Sequence, residues 1–127
     1  MTRRIVILLL AILFPTVLLA HDRPGPHGGP GVDAGPYFVE LVANDGVAEI
    51  FVYMDDTMKP ASMKGTKATA TVLVGQQREV VQLQPDPDEK DGNPLAGKLT
   101  LKPGPGTRVV VQLQIPGQPS VSARFAL

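Results

Sequence analysis

From Pro36 onward the chain alternates apolar and polar side chains, and Gly, Pro, Asn or Asp interrupts the pattern every eight to twelve residues. A period of two sends successive side chains to opposite faces of a strand, whereas a helix repeats its apolar positions every three or four residues. Beyond residue 20 no stretch has the helical period. The alternation predicts strands at 37–43, 47–54, 68–74, 79–84, 95–101, 107–115 and 120–127. Asn44-Asp45-Gly46 joins the first two as a hairpin, because Gly accepts the positive φ that such a turn needs. Pro60 and Gly65 break a longer connection over 55–67. Seven short strands with these spacings imply an all-β fold, an antiparallel immunoglobulin-like β-sandwich, with a small closed barrel as the alternative. The chain has neither Cys nor Trp, so the Cys–Trp–Cys hallmark of true immunoglobulin domains is absent. The expected core is Val39, Leu41, Ile50, Val52, Val72, Val74, Val81, Leu83, Leu99, Leu101, Val109, Val111, Leu113, Val121, Ala123 and Phe125.

The first 35 residues follow different rules. Thr2-Arg3-Arg4 precede an apolar run from Ile5 to Phe14, Pro15 bends the chain, and Thr16–Ala20 completes the layout of a secretory signal peptide. An uncleaved anchor is the alternative, but Ile5–Ala20 is short for a span that needs roughly 20 apolar residues. No Cys lies near Ala20 to carry a lipid. Cleavage after Ala20 implies a periplasmic domain of 107 residues with no membrane contact of its own. It also removes two of the 12 Lys/Arg, leaving ten against 12 Asp/Glu. That balance gives no basic surplus for nucleic acid. Residues 21–35 (HDRPGPHGGPGVDAG) are rich in Gly and Pro and poor in apolar side chains, which predicts a flexible arm. The expected organisation is therefore signal 1–20, arm 21–35 and sandwich 36–127.

Catalysis needs positioned acids, bases or nucleophiles. After the signal there are two histidines, no Cys, no nucleophile elbow and no glycine loop leading into a helix, so the chain reads as non-enzymatic. Met54, Met58 and Met63 fall within ten residues, in or beside one connection. Thioethers are soft ligands suited to copper(I) or silver(I). Asp55 and Asp56 add oxygen donors for copper(II) or, less favourably, zinc. The plainer alternative is that these methionines fill gaps beneath a loop. If cleavage follows Ala20, His21 offers an α-amine and an imidazole to copper(II), and His27 a second ring. The acidic stretch Asp86–Asp91 lacks the spacing of a calcium loop and reads as a solvated hairpin tip.

The His27-Gly28-Gly29 leader, the run YFVELVANDGVAEIFVYMDD, the Lys59-Pro60 turn, KATATVLVGQQREVVQL and the closing VVVQLQIPGQPSVSARFAL resemble a group of small bacterial periplasmic proteins. They are similar to a β-domain at the head of some periplasmic adaptor subunits of heavy-metal efflux systems. The resemblance implies metal binding by a leader His, a first-strand His and an Asp-His pair. This chain keeps His27 and Asp55 but has Phe38 and Asp56 where the other histidines would fall. The leading expectation is a metal-handling β-sandwich that passes a copper-type ion to an efflux partner. The rival is an interaction module without metal.

Overall fold

A computed structural model describes residues 23–127. The expected signal segment 1–20 and His21 lie outside the described residues. Nine antiparallel strands form the chain: β1 (Arg23–Pro24), β2 (Pro30–Ala34), β3 (Tyr37–Asn44), β4 (Val47–Met54), β5 (Lys67–Val74), β6 (Gln77–Pro85), β7 (Leu95–Lys98), β8 (Arg108–Gln114) and β9 (Val121–Ala126). Their spatial order is β1-β2-β3-β4-β7-β6-β5-β8-β9. The sheet curls over itself until β2 contacts β9, which gives the expected all-β antiparallel sandwich.

Two expectations change. The described residues hold nine strands instead of seven, and the extra two lie in the segment expected as a flexible arm. Composition misleads there because the glycines are set by space, not by mobility. A Cβ on Gly25 would overlap the Glu40 side chain, one on Gly29 the Leu41 carbonyl oxygen, and one on Gly31 the Phe38 ring. The leader lies flat on β3, and only glycine lets backbone come so close. The fifth expected strand is also shorter, ending at Lys98.

Alternation assigns the faces. Val39 and Leu41 of β3 pair with Val52 and Ile50 of β4 and point inward, where Val72, Val81, Val111, Leu113 and Phe125 of the facing layer meet them. Leu95 and Met63 complete the core, and Val74, Leu101 and Val121 pack only at its margin. On the outer side of the same pair, Phe38 stands opposite Tyr53 and Glu40 opposite Phe51. That side is covered as well: Phe38 and Glu40 have no exposed surface. The connection from β4 to β5 is tied down by Asn93. Its Oδ1 accepts from Val52 N–H (3.2 Å), and its Nδ2 donates to the carbonyls of Val52 (2.6 Å) and Ala61 (3.0 Å).

Candidate functional site

The polar centre of the molecule is where the leader crosses β3. Glu40 is fully buried, and among the described residues the hydrogen bonds its side chain accepts come from the leader. The backbone N–H groups of His27 and Gly29 both donate to its Oε2 at 2.9 Å, and His27 Nδ1 lies 2.8 Å from Oε1. A turn brings these donors together, with Gly25 N–H donating to the Gly29 carbonyl (2.8 Å) and Gly28 N–H to the Gly25 carbonyl (2.9 Å). Gly28 takes φ +80°, which favours glycine.

The His27 ring is held on three sides. It stacks on Phe51 with centroids 3.8 Å apart, Glu40 holds Nδ1, and the Tyr53 hydroxyl lies 3.2 Å from the same nitrogen. A carboxylate at Nδ1 favours the tautomer with its proton there, which leaves the Nε2 lone pair free. Nε2 has no hydrogen-bond partner among the described residues, and the side chain is half-exposed. Burial, and then the Glu40 charge, pushes the Tyr53 phenol up to about 12. His27, Phe51 and Tyr53 line a shallow pocket with Pro60, Glu89, Asp91, Asn93 and Pro94. The arrangement presents one oriented imidazole nitrogen at a wall that also carries two carboxylates.

The sulfur-bearing connection has a different character. Met63 is fully buried in the core, and Met54 packs against it. Of the three sulfur side chains only Met58 is exposed, in a tight turn at φ +57° closed by its N–H donating to the Met54 carbonyl (2.7 Å). Arg23 Nη2 lies 3.3 Å from Asp55 Oδ1 and 3.6 Å from Met58 Sδ. Its guanidinium also sits 3.9 Å over the Phe38 ring and 3.5 Å from Asp33 Oδ1. A fixed cation thus occupies the space between the Asp55 and Met58 donors, and a metal cation there meets its repulsion. Asp56 is exposed in the same turn.

Among the described residues, His27 is the expected ligand that the fold holds with a donor nitrogen unoccupied. Glu40, Phe51 and Tyr53 are members of this cluster that the hydrophobic pattern does not single out. The available signal was Glu40 itself, a lone acid in the run YFVELVA. Among the described residues no group of three or more His, Asp or Glu side chains gathers in metal-holding geometry. Comparison with protein-family models, curated proteins and solved structures finds no match to this chain.

Proposed function

We propose that the chain is a non-enzymatic, periplasmic metal-handling domain that takes a copper-type ion through His27 and passes it to an efflux component. The observation that carries this reading is the His27 ring, clamped by Glu40 and Phe51 with Nε2 left free. Second-sphere carboxylates of this kind orient ligand histidines and raise their basicity. Among divalent first-row ions an imidazole with nearby carboxylates binds copper(II) most tightly, with zinc behind it. Glu89 and Asp91 line the same pocket and make its surroundings acidic, which draws a cation towards the imidazole without gathering into a ligand set around it. One protein nitrogen with carboxylates on one side leaves coordination positions open, which suits transfer better than storage. His21 is the further donor the sequence offers.

The test is copper(II) titration by calorimetry, with nitrogen hyperfine coupling in electron paramagnetic resonance as a second readout. His27→Ala is expected to weaken binding by more than tenfold, and Glu40→Gln by roughly tenfold, the usual effect of losing an outer partner. Replacing Met54, Met58 and Met63 together with Leu is expected to change copper(II) affinity by less than threefold. Equal affinity in wild type and His27→Ala sinks the proposal. In that case Glu40 and His27 are simply the clasp that fastens the leader to the sheet, and the interaction-module reading takes over.

A further inference from the structure

The two layers of the sandwich treat their outer faces differently. The leader covers the outer face of β3 and β4, whereas the outer face of β6, β5, β8 and β9 is bare. On that bare face Arg78 and Arg108 flank Leu73 in one cross-strand row, with Arg124 beside Val110 in the next and Lys67 further along β5. Neighbouring strands are about 4.8 Å apart, so Arg78 and Arg108 stand roughly 10 Å from each other. All four cations are exposed, and none is ion-paired with an acid of the described residues. The remaining positions are Gln, Thr, Ser, Val and Ala, with no acidic side chain among them. Glu79 alternates to the other side of β6, where its carboxylate accepts from the N–H groups of Thr100 and Leu101. A chain with 12 cations and 12 anions therefore concentrates four cations on one plane.

We infer that this plane docks onto an anionic lipid bilayer, its guanidinium groups binding lipid phosphates. The inference does not depend on the metal proposal. Guanidinium forks pair with phosphate oxygens. Leu73 and Val80, 36% and 52% exposed between the cations, supply apolar side chains that settle among the headgroups. The arginines stand on a plane of paired strands instead of lining a cleft, which matches an extended surface better than a peptide. No aromatic side chain on this face offers a base a stacking platform, which disfavours single-stranded nucleic acid.

The experiment is co-sedimentation with phosphatidylcholine vesicles, with and without 30% phosphatidylglycerol, at about 50 mM and 500 mM salt. A chain starting at His21 is used so that the apolar segment 5–20 does not itself enter the bilayer; it keeps all nine described strands and the described core. Each cation at an anionic surface strengthens binding roughly fivefold. The Arg78→Gln/Arg108→Gln/Arg124→Gln variant is therefore expected to lose about 100-fold, and the corresponding triple Lys variant to keep most of the binding. Lys59→Gln/Lys64→Gln/Lys90→Gln, with the same charge change on the connections, is expected to lose only a few-fold. High salt is expected to release the protein, because the Debye length falls below about 5 Å. The inference is overturned by no sedimentation with anionic vesicles at low salt, by equal binding to neutral vesicles, or by equal loss in the two Gln variants. It is also overturned if the face proves to bind a second copy, seen as arginine-dependent self-association without lipid binding.

Discussion

Replacing Gly29 with Ala tests whether the leader is part of the fold. Gly29 needs no positive φ, so in a free arm alanine would be harmless or, by stiffening the unfolded chain, stabilising by about 0.4–1 kcal/mol. In the fold its Cβ would run into the Leu41 carbonyl oxygen, a backbone atom that cannot swing aside. Relief requires the leader to lift, and the Gly29 N–H bond to Glu40 (2.9 Å) stretches with it. A hydrogen bond to a carboxylate is worth about 1.5–3 kcal/mol, and the Gly25–Gly29 turn bond adds about 0.5–1.5 kcal/mol. With the alanine's entropic gain subtracted, the expected net loss is about 1–4 kcal/mol. At about 4–8 °C per kcal/mol for a domain of this size, Tm falls by roughly 4–30 °C in a circular-dichroism melt. Gly104→Ala is the control, since its Cβ meets open space and its φ is ordinary. Hydrogen exchange at the His27 and Gly29 amides reports whether the loss lies in the leader. A Gly29→Ala protein that melts with the Gly104→Ala control refutes the docked leader, and the orientation of His27 goes with it.

Three further outcomes follow from individual side chains. The Tyr53 phenol, near 12 in the fold against about 10 in the unfolded chain, holds its proton more tightly when folded. Its contribution to stability is full below pH 10 and declines as pH rises towards 12; absorbance titration of a Tyr37→Phe background, with and without Glu40→Gln, is expected to show the Tyr53 transition moving down when the Glu40 charge is removed. Met63→Ala is expected to cost about 2–5 kcal/mol in urea unfolding and Met63→Leu less than about 1.5 kcal/mol, because the sulfur side chain is fully buried core. The backbone N–H bonds from Leu101, and then Thr100, hold the Glu79 carboxyl below its ordinary range, so its contribution persists above that range and fades as pH falls through the lowered value; Glu79→Gln is expected to speed hydrogen exchange at the Thr100 and Leu101 amides and to remove this acid dependence.

The strand pattern was legible from Tyr37 onward because hydrophobic alternation and turn chemistry are local, and both survive into the fold. The leader was not. Glycine and proline enrichment has two physical origins, a chain too poor in apolar surface to order and a backbone pressed against side chains, and composition alone cannot separate them. Gly25, Gly29 and Gly31 belong to the second kind. The partners that distinguish them, Glu40, Leu41 and Phe38, lie seven to fifteen residues away and become neighbours only once β2 pairs with β3. The burial of the methionines was hidden for a related reason. Spacing within ten residues brings Met54, Met58 and Met63 together in sequence, yet in the fold Met63 is buried in the core, Met54 packs against it and Met58 is exposed.

Glu40 links these points. A carboxylate with no exposed surface is costly unless every oxygen is paired, and here all the donors come from residues 27–29. The leader cannot leave without stranding the charge, and the charge cannot be tolerated without the leader. The same mutual dependence fixes the imidazole plane, because His27 contributes two of the three bonds. A histidine held in this way is preorganised by the fold's own polar accounting rather than by a ligand, so its orientation should persist in the metal-free protein. It follows that His27→Ala and Glu40→Gln differ in kind. The first removes the ligand nitrogen while leaving the backbone donors of His27 and Gly29 on Glu40; the second weakens those donors' acceptor while leaving the nitrogen present. Copper(II) affinity that falls far more in the first than in the second, with leader exchange that quickens more in the second than in the first, would separate binding from fastening within one cluster.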